Sequence, residues 1–268
     1  MPDVISNGTK ISYEVVGEGR ALVLLHGMFG DRSWWTEPGY VDSHSGDFRL
    51  VSVDIRGHGS SGKPHDAAAY SYEVLVGDVL AVADAEHLDR FAIWGLSYGG
   101  DIAWRAAVTA PERVRAIITT GAWETRPALV SPPSDHKWVK ALRGGGATAL
   151  LERIAAEFGV AFDSEFPQFA RAIVLRGDAE AWIAAYEAYI SPEADTDWSS
   201  EEGLRSFPVP VFLIAGEFED VDADAAKVAS ILPRGQSLRL PGLGHAGACL
   251  AAELTTSAAG SFLDRWLV

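Results

Sequence analysis

Short, uninterrupted apolar runs, spaced along 268 residues, constrain this chain more than any other feature. Ala21-Leu-Val-Leu-Leu25, Arg49-Leu-Val-Ser-Val-Asp54, Arg90-Phe-Ala-Ile-Trp94, Val114-Arg-Ala-Ile-Ile-Thr119 and Val211-Phe-Leu-Ile-Ala215 are five of them, and Gln236-Ser-Leu-Arg-Leu240 is a weaker sixth. A strand with one face in water alternates polar and apolar residues. A strand buried on both faces does not, and such burial is the habit of parallel sheets. Helical patterns sit between the runs. From Ser71, a candidate N-cap, to Leu88, the residues Val74, Leu75, Leu80, Val82 and Ala83 fall on one helical face. A second helix, Asp101 to Thr109, is stopped by Ala110-Pro111. Strand and helix alternating at this spacing predict an α/β fold, a mostly parallel central sheet with helices on both faces. A hairpin turning at Asn7-Gly8 precedes it.

The alternation breaks between Ala122 and Phe207, which hold Ser131-Pro-Pro-Ser134, the glycine run Gly144–Gly146 and helical patterns near 147–158, 166–176 and 179–190. The strand pattern resumes afterwards. Residues 1–121 and 208–268 are therefore expected to form one core domain, with 122–207 a helical cap inserted between two of its strands.

The composition removes several function classes. Every apolar run falls well short of the ~20 residues of a membrane span, and Met1–Lys10 is too polar for a secretory leader. The single cysteine, Cys249, permits neither an internal disulfide framework nor a cysteine-rich zinc site. A net charge of −15, from 22 basic and 37 acidic residues, repels phosphate backbones. The expectation is a cytoplasmic protein without nucleic-acid or membrane partners.

Chemistry concentrates at Gly95-Leu96-Ser97-Tyr98-Gly99, which directly follows one predicted strand and directly opens a helix. A G-x-S-x-G at that junction is a nucleophile elbow: the serine rides a strained turn, and strand and helix can pass only where side chains are missing. A serine hydroxyl needs a base within reach. Of seven histidines, His44, His65, His87 and His136 read as surface residues, while His26 and His58 lie in glycine-rich loops and suit local hydrogen bonds. His245, in Pro241-Gly-Leu-Gly-His-Ala-Gly247, follows the last strand, on the sheet edge where the elbow emerges, and is the candidate base.

The chain resembles the α/β-hydrolase fold superfamily over essentially its whole length, in the branch of small esterases and lactonases. His26-Gly-Met-Phe-Gly30 resembles the family's oxyanion loop, Asp54-Ile-Arg-Gly-His-Gly-Ser-Ser61 its next glycine loop, and Gly244-His245 its histidine loop, all in the family's order. Tyr72 to Gly100 is partly similar to 3-oxoadipate enol-lactonases. The resemblance implies an oxyanion hole made by the backbone N–H groups of Met28 and Tyr98, and no metal or organic cofactor. It also implies a triad acid three residues after the glycine that ends the strand before last. Glu219 stands there where most members carry aspartate, with Asp220 beside it; Glu124, after an earlier strand, is a further candidate. Phe218 is expected to pack into the core and hold that turn.

Aromatic residues give the oxyanion loop and the insertion their character. Phe29, Trp35, Trp123, Trp138, Trp182 and Tyr186 are candidate pocket residues, with Trp34, Tyr189 and Trp198 of the same kind. Asp222 and Asp224 lack the spacing of a calcium loop and read as a helix start; Cys249 reads as a small core residue. Serine at position 97 excludes the aspartate nucleophile of dehalogenases and epoxide hydrolases of this fold. The expected reaction is hydrolysis of a carboxylic ester or lactone through an acyl-enzyme. C–C bond hydrolysis or cofactor-free perhydrolysis on the same machinery, and a non-catalytic ligand-binding module, are the alternatives.

Overall fold

The computed structural model describes residues 1–122, 136–158, 168–190, 200–219 and 225–267. Among these residues eight strands form one sheet. β1 (Asp3–Ser6) and β2 (Thr9–Val16) pair antiparallel through Asn7 and Gly8, both at positive φ, as the hairpin reading requires. β3 (Arg20–Leu25), β4 (Phe48–Val53), β5 (Phe91–Leu96), β6 (Val114–Thr120), β7 (Val211–Gly216) and β8 (Gly235–Leu240) follow. The spatial order is β1-β2-β4-β3-β5-β6-β7-β8, and all neighbours from β4 to β8 are parallel.

The uninterrupted apolar runs have a direct explanation in this sheet. Val23 and Leu25 face one buried cluster, whereas Leu22 and Leu24 face another. Both faces of β3 are thus covered. After β3 come the short helices α1 (Ser33–Thr36) and α2 (Tyr40–His44); α3 (Tyr72–Ala85) leads to β5 and α4 (Tyr98–Thr109) to β6. Between β6 and β7 lie α5 (Lys137–Phe158), α6 (Gln168–Arg176), α7 (Ala179–Tyr189) and α8 (Glu201–Arg205). α9 (Ala225–Ile231) joins β7 to β8, and α10 (His245–Leu250) and α11 (Ala252–Trp266) close the chain. Leu75, Ile102, Trp104 and Val228 of α3, α4 and α9 cover one face; Tyr40, Cys249, Phe262 and Leu263 of α2, α10 and α11 cover the other.

Local chemistry sets the boundaries. Ser71 caps α3 by accepting from Val74 N–H at 3.3 Å. The helix stops at Ala85, short of Leu88, because His87 takes φ 56 and the Leu88 N–H returns to the Ala83 carbonyl at 2.8 Å, which is a Schellman ending. α4 begins at Tyr98, three residues before the sequence pattern suggests, because the elbow feeds straight into it. In α5 the glycine run breaks the helix at Gly145 and Gly146, the latter at φ 63. His44, expected at the surface, is buried edge-on against Trp94 at 5.5 Å.

α5, α6 and α7 share a core of their own, with Val139, Leu151, Val174 and Trp182, and it reaches the sheet domain through Phe29. Arg176, ending α6, pairs with Asp31 at 2.5 Å. Among the described residues no helix is long and apolar enough to cross a membrane.

A buried ion pair fixes the hairpin to the rest. The Arg56 guanidinium meets both carboxylate oxygens of Asp78 at 2.8 and 2.7 Å, and also Thr9 Oγ1 at 2.6 Å and the Ser6 carbonyl at 3.0 Å. Removing one partner strands the other charge in the core, which costs about 3–5 kcal/mol, whereas replacing both with apolar groups is often neutral. Arg56→Met should therefore lower the unfolding free energy in urea by that amount. Arg56→Met with Asp78→Leu should recover most of it; equal losses in the single and double variants would contradict the pairing.

Candidate active site

The strand order reverses at β3: the chain leaves it for β4 on one side and returns to β5 on the other. The loops after β3 and β5 part in opposite directions there, opening a crevice at the carboxyl edge of the sheet. Ser97 stands in that crevice. It adopts φ 47 and ψ −115, a conformation that non-glycine residues rarely take, and its N–H is held by the Thr120 carbonyl at 2.8 Å. Strain of this kind costs of the order of 1–3 kcal/mol and persists only where the surroundings dictate it. The dictation is steric. A Cβ on Gly95 would land on the Gly99 carbonyl, and one on Gly99 would land on the carbonyls of Leu25 and His26.

His245 opens α10, and its Nε2 lies 3.0 Å from Ser97 Oγ. Its Nδ1 lies 3.3 Å from Glu219 Oε2. An ionised carboxylate only accepts, so Nδ1 carries the proton and Nε2 is left to accept from the serine hydroxyl. Glu219 is itself held: Oε1 accepts the Gly216 N–H at 2.8 Å. The Phe218 N–H donates to the Leu243 carbonyl at 2.9 Å, tying the end of β7 to the histidine loop. The Phe218 side chain does not pack into the core as expected; it is 69 % exposed, and backbone hydrogen bonds hold the turn instead. Glu219 is buried at 3 % side-chain exposure, whereas His245 keeps 33 %. Gly121, at φ +67, clears the space between them, since a Cβ there would sit 2.6 Å from His245 Cε1. Asp220 and Glu124, the other acid candidates, lie outside the described residues, as do Asp222 and Asp224.

The loop after β3 folds back as a turn in which Gly30 N–H donates to the Gly27 carbonyl at 3.1 Å, and Phe29, third in the turn, takes φ 64. Gly27 lies against Ser97, where a Cβ would come within 3.5 Å of the serine Cβ. The two histidines of the glycine loops are locally bonded, as the sequence suggests, and both are fully buried. His26 accepts from Ile55 N–H at 3.0 Å, and His58 accepts from Phe29 N–H at 3.2 Å. Burial first, and the neighbouring His26 second, push the His58 imidazole down to about 3. Burial likewise lowers His26. Asp54 closes the arrangement by accepting from the Arg32 and Ser60 N–H groups at 2.9 and 2.8 Å.

Over Ser97 and His245 lies a cavity of ≈ 100 Å³ walled by Met28, Phe29, Trp34, Trp138, Ile154 and Val174, with Leu96 and Cys249 also lining it. Of the sequence's pocket candidates, Phe29 and Trp138 line it. Trp35 does not: it is fully buried against Tyr40 and Trp94 at 5.1 and 5.6 Å, and its neighbour Trp34 lines the cavity instead. Adjacent aromatic residues on a short helix point apart, and which one faces the site is set by packing rather than residue type. Trp182 and Tyr186 back the wall through Phe29, at 5.3 and 6.0 Å ring to ring, without lining it. Trp123 and Trp198 lie outside the described residues. Cys249, read as a core residue, is buried and also borders the cavity. Among the described residues no group of three His, Cys, Asp or Glu side chains is gathered as for a metal ion.

The sequence pattern described as alpha/beta hydrolase fold matches residues 20–248. The chain belongs to that family. This α/β-hydrolase is 27 % identical over 259 residues to a putative 2-succinyl-6-hydroxy-2,4-cyclohexadiene-1-carboxylate synthase of Bacillus subtilis, with 90 % of each chain covered. It is 28 % identical over 253 residues to a pimeloyl-[acyl-carrier protein] methyl ester esterase of Nitrosomonas europaea, covering 88 % of this chain and 93 % of the other. A shorter match, 30 % over 115 residues, is to an epoxide hydrolase of Caballeronia sordidicola, covering 43 % of this chain and 35 % of the other. Among solved structures, an enol-lactonase from Burkholderia xenovorans superposes with a TM-score of 0.78 at 24 % identity, covering 98 % and 100 % of the two chains.

Buried neutral histidines make the α/β-hydrolase sensitive to acid. His58 stays uncharged in the fold down to about 3, but takes up a proton near 6.5 when the chain unfolds. Its contribution is intact above 6.5 and drains away as pH falls towards 3, because only the unfolded state binds the proton. Unfolding free energy should drop over that window by up to ~1.4 kcal/mol per pH unit from this group. His58→Gln should flatten the slope, measured by urea titration at several pH values; an unchanged slope would contradict the burial of a neutral imidazole.

Proposed function

We propose that this α/β-hydrolase cleaves carboxylic esters or lactones through an acyl-enzyme, with Ser97 as nucleophile, His245 as base and Glu219 as orienting acid. The observation that carries the reading is the continuous hydrogen-bonded chain from Ser97 Oγ through both His245 nitrogens to Glu219. His245 Nε2 takes the serine proton as Oγ attacks the substrate carbonyl, then gives that proton to the leaving alkoxide. A water activated by the same nitrogen attacks the acyl-enzyme and returns the serine. Glu219 keeps the imidazole in the tautomer the first step needs and stabilises the imidazolium that forms. The N–H groups of Met28 and Tyr98 serve as donors to the oxyanion of each tetrahedral intermediate. These steps draw on protein groups and water alone. Serine at the elbow favours acyl transfer over the epoxide opening named for the shorter match.

In this reading residues 122–207 act as a cap whose inner wall selects the acyl group. The cavity is apolar and of ≈ 100 Å³; an apolar cavity of about 150 Å³ holds a benzene molecule. The group it takes is accordingly uncharged and a few carbons long, since an ionised chain would lose its hydration without a partner.

A fluorophosphonate probe should label a single serine, and neither Ser97→Ala nor His245→Ala should be labelled. Both variants should lose at least about a thousandfold in kcat. Glu219→Gln should lose about as much, whereas Asp220→Asn and Glu124→Gln should stay within about tenfold, a loss of up to ~1.4 kcal/mol. A crippled Asp220→Asn beside a mild Glu219→Gln would move the acid by one residue. Across p-nitrophenyl esters, butyrate should exceed both a long-chain ester and the anionic hemisuccinate in kcat/KM.

A further inference from the structure

The turn Gly27–Gly30 is strained, and the residue that compensates lies one loop away. Phe29 is third in the turn at φ 64, a place that normally goes to glycine or asparagine. Its N–H points away from the Gly27 carbonyl that closes the turn and is donated to His58 Nε2 at 3.2 Å. His58 has no exposed surface, and its other nitrogen donates to the Arg56 carbonyl at 2.9 Å, which fixes the tautomer and leaves Nε2 as an acceptor. Arg56 is in turn clamped by Asp78. The imidazole is also boxed between rings, 5.2 Å from His26, 6.4 Å from Tyr98 and 6.0 Å from Trp182 of α7.

We propose that His58 is a positioning residue for the oxyanion site: by accepting the Phe29 N–H it locks the Met28–Phe29 peptide, and so keeps one direction for the peptide dipole that adjoins the Met28 N–H. The proposal rests on the acyl-transfer reading above. The peptide between the second and third residues of a turn can flip, and the flipped form suits a side chain at the third position better. The flip leaves the Met28 N–H in its own peptide with Gly27 but turns the Met28 carbonyl to the opposite side of the turn and reverses the dipole beside that donor. A buried acceptor fixed beside that N–H tips the balance, because the flipped form would leave both the ring nitrogen and the N–H without a partner. Burial keeps the imidazole neutral, with His26, Lys63 and Asp31 the neighbouring groups that act on it. Nε2 is therefore an acceptor over the whole working range of pH. His58 touches no substrate in this account and moves no proton.

The distinction from a packing role is chemical. Glutamine carries an amide oxygen about where Nε2 stands, asparagine only about where Nδ1 stands, and leucine fills the space without an acceptor. An oxyanion donor acts in the transition state and not on bound substrate, and a misplacement of about 1 Å can cost a hundredfold. With a butyrate ester, His58→Leu and His58→Asn should lose tenfold to a hundredfold in kcat while KM moves by less than about threefold. His58→Gln should stay within about fivefold of wild type. A trifluoromethyl ketone, which adds to the serine as a tetrahedral oxyanion, should lose affinity across the series in proportion to kcat/KM. Glutamine and asparagine variants of equal activity, or losses confined to KM, or ketone affinity that does not follow kcat/KM, would overturn the proposal. If His58→Leu does not fold, the glutamine–asparagine comparison decides alone. Ser97→Ala is run beside them. Full activity in that variant would overturn the acyl-transfer reading together with the proposal, whereas an inactive Ser97→Ala with unaffected His58 variants would overturn the role of His58 only.

Discussion

The fold depends on one crowded place, where the backbones of β3, β5 and α4 pass so close that no side chain fits between them. Gly95, Gly99 and the carbonyls of Leu25 and His26 share that space. The crossing has three effects. It puts Ser97 in a conformation that serine would not choose, with its hydroxyl standing clear of the sheet. It aims the N-terminus of α4 at whatever sits above the serine. It brings the turn after β3 against the elbow, so the groups proposed to attack and to stabilise charge are held by the same contact. The remaining parts need only approach from the far strands, and the hydrogen bonds joining the ends of β7 and β8 accomplish that.

Much of this was legible in the sequence, for physical reasons that differ between elements. The strands were readable because a parallel sheet covered on both faces leaves few polar positions, and Leu22 to Leu25 have none. The elbow was readable because steric exclusion leaves glycine as the only choice at Gly95 and Gly99. Glu219 was readable as an offset from Gly216, which ends β7 as expected. What failed was orientation. Trp34 and Trp35 are equivalent in sequence, and only the packing of α1 against α2 decides which one faces the cavity. Phe218 is apolar and sits beside the acid, yet it points to solvent because backbone hydrogen bonds already hold the turn. His44 read as a surface residue but is buried, with its Nδ1 at the Tyr40 carbonyl and its ring edge-on to Trp94.

The glutamate at position 219 has a geometric counterpart. It is one methylene longer than the aspartate more usual in the resemblance, and the extra length must go somewhere. Gly216 N–H anchors one oxygen close to the strand end, so the side chain folds back before the other oxygen reaches His245. Gly121, just after the end of β6, leaves the room that the imidazole edge occupies.

Phe29 belongs to two structures at once. Its backbone forms part of the turn beside Ser97, and its ring meets Trp138 and Trp182 edge-on and stacks on Tyr186. A lineage that reshapes these helices cannot do so independently of the turn, because substitutions at Trp138, Trp182 or Tyr186 alter the seat of a residue whose main chain borders Ser97. Residues in contact couple non-additively. On the proposed function, evolution of specificity is thus bound to evolution of rate, and a chimera carrying another relative's helical segment inherits that segment's demands on position 29. The path between two good enzymes of this architecture runs through paired changes rather than single ones.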